Sequence, residues 1–372
     1  KLFFEKLKIP IDSDYISKKT EKPSVGRAVL EKLQHEYPIA KTLLEYRKVA
    51  KQKSGFVDAY PKFIDKNDRI HSTFSLIKYY DDDADKSSGA ATGRISSSNP
   101  NLQQIPSRDE TKRIKKLFIP DYPSHYLGDL DFSGIELRMA AIYSKDPEMI
   151  KFFNSGKGDF HRYVASKIYK KPEADVTKLE RSKAKSTTFG ILYQAGPNKI
   201  AEQAGCSLEE AQEFIVDYFK LFPYLKKWIA KQKADAQRNL YVKSFFGRIR
   251  QLPNANASNG VLRETALRIA VNAPIQADAS DLTLYSLARI SDYLAKFPHA
   301  NPSEPTQLKA AVHDSILLSV HIDDMEEIIK HIKFNILEKP KLDFITSSGV
   351  SFQSEASVGP NWGEQTDIDF GD

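Results

Sequence analysis

The chain has 372 residues, of which 41% are hydrophobic and 28% charged, which is ordinary for a globular protein with room for two or three substructures. Its net charge of +6 is compatible with a polyanionic partner but does not by itself indicate one. A single cysteine, Cys206, excludes an intrachain disulfide framework and a Cys-rich zinc site. No apolar run approaches the roughly 20 residues of a membrane span. We therefore expect an intracellular protein that is neither secreted nor membrane-bound.

The first 60 residues are predicted to be mostly helical, because apolar residues recur at helical spacing over 24–33 and 38–51. The second helix is rich in lysine and arginine. Such a basic helix fits either a surface that follows a phosphate backbone or an ordinary solvated surface, and the charges alone favour the solvated surface.

Residues 70–80, IHSTFSLIKYY, predict a strand. The following segment 92–108, TGRISSSNPNLQQIPSR, has little apolar periodicity and is expected to be irregular. Its amide groups, with the guanidinium groups of Arg94 and Arg108, are suited to phosphates, sugars and the base edges of the minor groove.

Residues 126–132, YLGDLDF, predict a buried strand that ends in Asp131-Phe132. Ser133 is expected to cap the next helix, with Glu136 at the capping-box position. An aspartate between a buried strand and a helix is a common place for a catalytic carboxylate, although Asp131 could also serve only as a charge at the helix N-terminus.

Residues 146–256 are predicted to be almost wholly helical, with a short hairpin at the end. One helix is expected to begin near Asp159, and two others begin at capping boxes formed by Thr177 and Ser207 with the glutamates three residues later.

The helix that begins at Thr177 carries Arg181, Lys185, Phe189 and Tyr193 at every fourth position, so these side chains form one stripe. Two cations followed by two aromatic rings could hold a polyphosphate at one end and stack a base at the other. An amphipathic surface helix with solvated cations explains the same pattern, and this helix alone does not decide between them.

Residues 260–296 predict another helix, in which Arg268, Asn272 and Gln276 share one face and Pro274 must kink or break the helix. We favour a functional face here, because a polar stripe between apolar ones costs stability unless it has partners. Residues 309–321 predict two strands that meet at His313-Asp314.

Asp131 and Asp314 would converge if their two strands were neighbours. Two carboxylates with few other ligands suit Mg²⁺, which keeps water and takes substrate phosphates as further ligands. Together with the cationic-aromatic stripe and the amide-rich segment, they indicate phosphoryl transfer on a nucleic acid.

These residues resemble the family A DNA polymerases, the bacterial DNA polymerase I type. The resemblance is carried, in order, by TGRISSSNPNLQQIP (92–106), DFSGIELR (131–138), the R-x3-K-x3-F-G-x2-Y pattern from Arg181 to Tyr193, RIAVNAPIQADASD (268–281) and VHD (312–314).

The resemblance implies an α+β fold with the right-hand polymerase architecture, in which an antiparallel-sheet palm lies between helical fingers and a partial helical thumb. The thumb would cover 1–60, the palm 61–133 and 259–372, and the fingers 134–258. The implied activity is template-directed addition of deoxynucleotides to a primer 3′-hydroxyl in DNA replication or repair, with release of pyrophosphate. The implied partners are primer-template DNA and deoxynucleoside triphosphates, bound by a monomer that could work with accessory replication proteins.

The resemblance also implies residue roles. Asp131, Asp314 and the backbone carbonyl of Phe132 would hold two Mg²⁺ ions, for which Mn²⁺ could substitute, and Lys185 would protonate the leaving pyrophosphate. The nucleotide would contact Glu136, His161, Arg181, Lys185, Phe189 and Tyr193, with Glu136 excluding a ribose 2′-hydroxyl. Primer-template DNA would contact Arg94, Arg108, Arg268, Asn272, Gln276 and His313.

The chain departs from the family pattern at four positions. Ser315 stands where the third motif usually has glutamate, Gly134 replaces a common glutamine, and Thr188 and Gln194 replace the usual asparagine and glycine. Single-subunit RNA polymerases, which are the main alternative, often have a serine at the position of Ser315. Glu136 argues against them, because RNA synthesis needs room for the ribose 2′-hydroxyl. A catalytically inactive primer-template-binding module is a further alternative.

Overall fold

The structure is a computed structural model that describes residues 2–17, 20–76, 79–81, 86–88, 90, 92–106, 112–156 and 158–370. The chain divides into two compact units, one comprising residues 1–73 and 98–101 and the other residues 74–97 and 102–372. Within the described ranges, no helix is long and apolar enough to cross a lipid bilayer.

The first unit is helical, as predicted. Its α-helices are α1 (Arg27–Leu33) and α2 (Pro38–Gln52), so the first begins three residues later than the sequence pattern indicated. Shorter turns of 3₁₀ or π type span Leu2–Lys6, Ser13–Tyr15, Lys53–Val57 and Tyr60–Phe63. A small core of buried side chains stabilises the unit, and it includes Phe3, Ile9, Val29, Leu30, Leu33 and Ala40.

The described residues between 73 and 132 include four short strands and one long strand. They are β1 (Thr73–Ser75), β2 (Tyr79–Asp81), β3 (Lys86–Ser88), β4 (Ser96–Ser98) and β5 (His125–Phe132). The single strand predicted over 70–80 is therefore wrong, because β2 pairs with β3 instead of continuing β1. The irregular backbone predicted for 92–108 is confirmed in its described part, apart from β4 and a 3₁₀ turn at Leu102–Gln104.

Residues 135–251 are almost wholly helical, as predicted. The elements are α3 (Ile135–Ser144), α4 (Pro147–Asn154), α5 (Phe160–Ile168), α6 (Lys178–Leu192), α7 (Pro197–Ala204), α8 (Leu208–Leu221), α9 (Pro223–Asn239), β6 (Tyr241–Lys243) and β7 (Ile249–Gln251). Both predicted capping boxes are confirmed: Thr177 and Ser207 each accept the N–H of the glutamate three residues later, and that glutamate accepts the cap residue's N–H.

The beginning of α3 differs from the prediction. Its N-cap is Gly134, which adopts the left-handed conformation at φ 66°, and no side chain caps the helix. Ser133 instead lies 3.5 Å from the carboxylate of Glu355. The predicted capping box fails because Glu136 accepts hydrogen bonds from Arg94 and Tyr193, so its carboxylate is directed away from the helix start.

Helices α6 and α7 approach each other closely at Gly190. A Cβ atom at this position would lie 2.6 Å from Cγ1 of Ile200, which is fully buried. The absence of a side chain at Gly190 therefore allows α7 to pack against the helix that carries the stripe.

The long helix α10 (Gly260–Leu294) passes through Pro274 without a break. Proline has no N–H to donate to the carbonyl four residues earlier, which here belongs to Ala270. The side-chain amide of Gln232 in α9 lies 3.4 Å from that carbonyl oxygen and donates to it. A partner from a neighbouring helix thus replaces the missing bond, and the alternative of a broken helix is wrong.

The remaining elements complete a five-stranded antiparallel sheet with the order β11-β10-β5-β9-β8. They are β8 (Gln307–Val312), β9 (Ser315–His321), α11 (Met325–His331), a π turn at Ile332–Leu337, α12 (Asp343–Thr346), β10 (Ser354–Gly359) and β11 (Thr366–Asp367). The predicted hairpin around His313-Asp314 is confirmed. The sheet and the helices of the second unit share one apolar core, so the predicted α+β class is confirmed.

Candidate active site

The two carboxylates singled out from the sequence lie together at one end of the sheet. Asp131 is the penultimate residue of β5, and Asp314 lies in the turn between β8 and β9. In the strand register Asp131 is opposite Ser315 of β9 and Glu355 of β10. All four residues line one cavity of about 330 Å³. The convergence that the sequence suggested is therefore confirmed.

Electrostatic repulsion is concentrated in this cavity. Burial raises the pKa of Asp131, and the negative charges of Asp314, Asp129 and Glu355 raise it further. Burial likewise raises the pKa of Asp314. Carboxylates that repel one another in a partly desolvated cavity are stabilised by a bound cation.

The donor set fits a hard divalent cation such as Mg²⁺, which accepts one or two carboxylates with water and phosphate oxygens as its other ligands. Among the described residues, no group of three or more His, Cys, Asp or Glu side chains is arranged to hold a metal ion. Phe132 follows Asp131 at the end of β5, and its ring is buried against Phe352 at 6.3 Å.

The predicted stripe is present on α6 and at its C-cap, Tyr193. Arg181 donates through Nε to Asp159 at 2.6 Å, and Lys185 is exposed. The rings of Phe189 and Tyr193 are nearly parallel, with their centroids 6.2 Å apart and an interplanar angle of 19°. The stripe thus has a cationic half and an aromatic half, as the spacing indicated.

His161 extends the aromatic half of the stripe. It lies in the first turn of α5, whose N-cap Asp159 accepts its backbone N–H at 2.9 Å, and its ring centroid is 5.5 Å from that of Phe189. Burial, together with the nearby charges of Lys185 and Arg181, lowers the pKa of His161 to about 4. The side chain is therefore a neutral imidazole at pH 7, and its buried Nδ1 has no hydrogen-bond partner within the described part of the chain.

Glu136 connects the stripe to the carboxylate pair. This residue is 9% exposed, and its carboxylate accepts hydrogen bonds from Arg94 and, at 2.7 Å, from the hydroxyl of Tyr193. The positive charge of Arg94 also acts to lower the pKa of Asp314, although burial outweighs it. The sequence pointed to each of these residues separately, but it did not predict that Arg94 and Tyr193 both donate to Glu136.

Four of the six residues predicted to contact DNA line one of two cavities. Arg268, Asn272 and Gln276 line a second cavity, of about 460 Å³, together with Tyr193 and Arg250, which confirms that they share a face. His313 lines the carboxylate cavity and adopts a left-handed backbone at φ 61° in the turn before Asp314. Arg108, which the sequence also indicated, lies outside the described residues.

Three residues that the sequence did not single out contribute to the site. Asp129 accepts hydrogen bonds from Ser315 and from the indole of Trp362, and Asp159 holds Arg181 while it caps α5. The acidic pattern D-x-D in β5 was the available signal for Asp129. Trp362 lies far along the chain, so no local pattern points to it.

Thr188 and Gln194, two of the departures from the family pattern, lie on α6 and directly after its C-cap. Gln194 has a positive φ of 52°, a conformation that glycine adopts with less strain, and its side chain donates to the carbonyl of Ile191 at 2.7 Å. Thr188 is fully buried on α6. The strain at Gln194 lies directly after the stripe.

Comparison with known proteins identifies relatives over nearly the whole chain. The family model described as DNA polymerase family A matches residues 1–364. The thermostable DNA polymerase I of Thermus aquaticus is 33% identical over 364 residues, which are 97% of this chain and 40% of that protein. The DNA polymerase I of Pseudomonas aeruginosa is 32% identical over 367 residues, which are 98% of this chain and 37% of that protein.

A solved structure gives the same result at the level of the fold. The polymerase domain of Pol1 from M. smegmatis, in a complex with DNA primer-template and dNTP, matches with a TM-score of 0.82 and 27% identity, covering 97% of this chain and 59% of that one. The predicted α+β polymerase architecture is therefore confirmed. The chain spans about two fifths of the length of the curated relatives it matches.

Proposed function

We propose that this chain, which belongs to DNA polymerase family A, is a template-directed DNA polymerase. It would add deoxynucleotides to a primer 3′-hydroxyl and release pyrophosphate by a two-metal-ion mechanism. The curated relatives are named DNA polymerase I, and the solved relative binds primer-template DNA and dNTP. We extend both ligands to this chain as its proposed substrates.

The observation that carries the proposal is the convergence of Asp131 and Asp314 in one cavity. The charge of Arg94 acts on Asp314, and Arg94 and the stripe residue Tyr193 both donate to Glu136. Two repelling carboxylates support cation binding, and the adjoining cations and rings support a triphosphate and a base. A nucleic-acid-binding surface alone would not require two carboxylates that repel each other in one cavity, which costs stability.

Asp131, Asp314 and the carbonyl of Phe132 are the proposed metal ligands. Two bound Mg²⁺ ions, or Mn²⁺ in their place, would supply Lewis-acid activation of the primer hydroxyl and of the leaving pyrophosphate. Because each carboxylate ends or follows a strand of one rigid sheet, the pair is oriented before the substrate arrives.

Arg181, Lys185 and His161 are proposed to bind the triphosphate, and Lys185 to donate a proton to the leaving pyrophosphate. Arg181 is already held by Asp159, so its guanidinium is oriented without a ligand. His161, being neutral at pH 7, would contribute hydrogen bonds and no charge. Phe189 is proposed to pack on the sugar and base.

Glu136 is proposed to exclude a ribose 2′-hydroxyl. Its two partners, Arg94 and Tyr193, fix both carboxylate oxygens, so the side chain cannot move aside without losing a hydrogen bond to a charged group. Selection of deoxynucleotides would therefore be steric.

Primer-template DNA is proposed to contact Arg94, Arg108, Arg268, Asn272, Gln276 and His313. The cavity lined by Arg268, Asn272 and Gln276 adjoins Tyr193, which supports a position for the template next to the nucleotide. Amide and guanidinium groups can contact the acceptors that all base pairs share in the minor groove, so correct pairing would be sensed without sequence preference.

The division into a partial thumb (1–60), fingers (134–258) and a palm formed by 61–133 and 259–372 stays a prediction. A monomeric state, a contribution of accessory replication proteins and an intracellular location also stay predictions from the sequence.

Primer extension on a DNA template tests the proposed function directly. We expect incorporation of each complementary dNTP with Mg²⁺ by the parent protein, and loss of incorporation with retained DNA binding in Asp131→Ala. Retained incorporation in Asp131→Ala, at a level that contaminating polymerase in a mock purification does not explain, would contradict the proposed catalytic pair.

An RNA polymerase of the single-subunit type is the second candidate, because Ser315 matches its third motif. The enclosed position of Glu136 favours DNA synthesis. Parallel reactions with dNTPs and rNTPs distinguish the two functions, and preferential template-directed use of rNTPs would overturn our proposal. Binding of primer-template without incorporation of either set would instead indicate an inactive binding module.

A further inference from the structure

Asp129 lies beside the proposed catalytic pair, although no family motif marks it. Residues two positions apart on a strand point to the same face of a sheet, and so do residues directly opposite in neighbouring strands. Asp129 precedes Asp131 by two positions in β5, and Ser315 of β9 is opposite Asp131. The three side chains therefore share one face, and all of them line the carboxylate cavity.

Two neutral donors fix the carboxylate of Asp129. The hydroxyl of Ser315 donates to Oδ1, and the indole N–H of Trp362 donates to Oδ2 at 3.0 Å. Trp362 is 2% exposed and makes an edge contact with Phe118 at 5.7 Å, so the indole is itself held in place. Each carboxylate oxygen has a second lone pair, so Asp129 can accept further hydrogen bonds in the cavity.

The charge of Asp129 acts on its neighbours. Asp129 and Asp131 share one face of β5 and line the same cavity, so the negative charge of Asp129 lies beside the carboxylate of Asp131. The ammonium of Lys115, which also lines this cavity, lies 4.2 Å from the ring centroid of Trp362. Asp129 therefore adds negative potential where a divalent cation would be held.

Ser315 occupies the position at which the third family motif usually has a glutamate, so the strand that follows Asp314 lacks a carboxylate. We propose that Asp129 supplies that missing carboxylate from the neighbouring strand, as a positioning residue for the cations held by Asp131 and Asp314. Ser315 then has a defined role, since its hydroxyl orients Asp129. This inference rests on the proposed polymerase function.

Carboxylates outside the first coordination shell act by accepting hydrogen bonds from metal-bound water and by adding charge, and their removal typically weakens metal binding about 10- to 100-fold. A glutamate at 315 and an aspartate at 129 would project from facing strands into one cavity. They should therefore substitute for each other, which a purely structural carboxylate would not do.

The test measures Mn²⁺ binding by electron paramagnetic resonance, using the protein with a dideoxy-terminated primer-template and the next dNTP, so that no turnover occurs. Asp129→Asn keeps the side-chain volume but removes the charge, and we expect about tenfold weaker Mn²⁺ binding. The double variant Asp129→Asn/Ser315→Glu should recover most of the loss. Asp367→Asn, which removes a charge from an exposed residue lining the same cavity, is the matched control and should bind Mn²⁺ like the parent.

The outcomes separate this inference from the function on which it rests. Unchanged Mn²⁺ binding in Asp129→Asn, with binding lost in Asp131→Asn, would overturn the inference and leave the polymerase proposal intact. Parent-like Mn²⁺ binding and incorporation in Asp131→Asn would overturn the polymerase proposal itself.

Folding is controlled by measuring Tm for every variant. If Asp129→Asn does not fold, Ser315→Ala retains both carboxylates but releases one donor, and a several-fold loss of Mn²⁺ affinity is expected from it. A folded double variant with no recovery would assign Asp129 a structural role and would also overturn the inference.

Discussion

Replacing Tyr193 by phenylalanine removes one oxygen atom from the network around Glu136. The lost hydrogen bond is 2.7 Å long, and the accepting Glu136 side chain is only 11% exposed. Hydrogen bonds to charged groups contribute about 1.5–3 kcal/mol. Because Arg94 still holds the other oxygen, we use the lower value, about 1.5 kcal/mol, which corresponds to roughly a tenfold effect.

If Glu136 excludes the 2′-hydroxyl, this loss should appear as reduced sugar discrimination. We expect the ratio of kcat/KM for dCTP to that for CTP, opposite template guanine, to fall about tenfold in Tyr193→Phe. Glu136→Ala should lower the ratio further, and adding Tyr193→Phe to it should change nothing more, because the oxygen then has no partner.

Tyr224→Phe is the matched control, since Tyr224 is 48% exposed on α9. Removing its hydroxyl leaves the hydrogen bonds of Glu136 intact. A parent-like ratio in Tyr193→Phe would refute the reasoning. Additive losses of this ratio in the double variant would also refute it, because they would show that the Tyr193 hydroxyl and Glu136 affect sugar discrimination independently.

Three further predictions concern stability near the stripe and are checked by thermal or denaturant unfolding. Gly190→Ala should lower the free energy of unfolding by up to about 2 kcal/mol, because overpacking against Ile200 costs about 1–3 kcal/mol and is offset by only about 1 kcal/mol of gained helix propensity. A raised Tm, or strict additivity with Ile200→Ala, would contradict the close approach. Asp159→Ala should cost about 1–2 kcal/mol by removing the N-cap of α5. Asp159→Asn, which caps equally well but removes the negative charge that pairs with Arg181, should cost clearly less. Equal losses would show that the ion pair and not the cap dominates. Because burial lowers the pKa of His161 to about 4, its imidazole is protonated below about pH 6.5 in the unfolded chain but only at lower pH in the folded one. Between pH 7 and pH 5 the free energy of unfolding of the parent should therefore fall by roughly 2 kcal/mol more than that of His161→Gln. Parallel pH profiles of the two proteins would refute the burial of a neutral imidazole.

The sequence predicted the parts of the fold that depend on local pattern. The capping boxes at Thr177 and Ser207 marked two helix starts, and the pattern of residues 126–132 marked the strand that is β5. The stripe from Arg181 to Tyr193 followed from helical spacing alone. These features are local because each depends on residues within a few positions of one another.

The prediction was wrong where a distant partner overrides the local pattern. Ser133 and Glu136 have the spacing of a capping box, but Arg94 and Tyr193 take the glutamate, and Gly134 begins the helix instead. A break of α10 at Pro274 was one of two expected outcomes, but the helix continues, and the amide of Gln232 replaces the missing backbone donor. Neither partner can be inferred from the sequence near these residues.

The convergence of the two carboxylates could be predicted only on the condition that their strands are neighbours in the sheet. Asp131 and Asp314 meet because β5 and β9 are neighbours, and one sequence does not fix strand order. Asp129 was visible as an acidic residue in a strand, yet its contacts with Ser315 and Trp362 require the register of β5 and β9 and the position of a residue that follows β10.

The central position of β5 has a consequence for synthesis on the ribosome. Both strands that flank β5, β9 and β10, follow it in the chain only after the whole helical segment and α10. At about 5–20 residues per second, β5 waits on the order of ten seconds or more before β9 is made, with both of its edges unpaired. Unpaired strand edges invite association with other chains, so a nascent chain paused before Ser315 should depend strongly on chaperones. The carboxylate pair, and with it any capacity to hold a metal there, comes into existence only after the turn between β8 and β9 has been made.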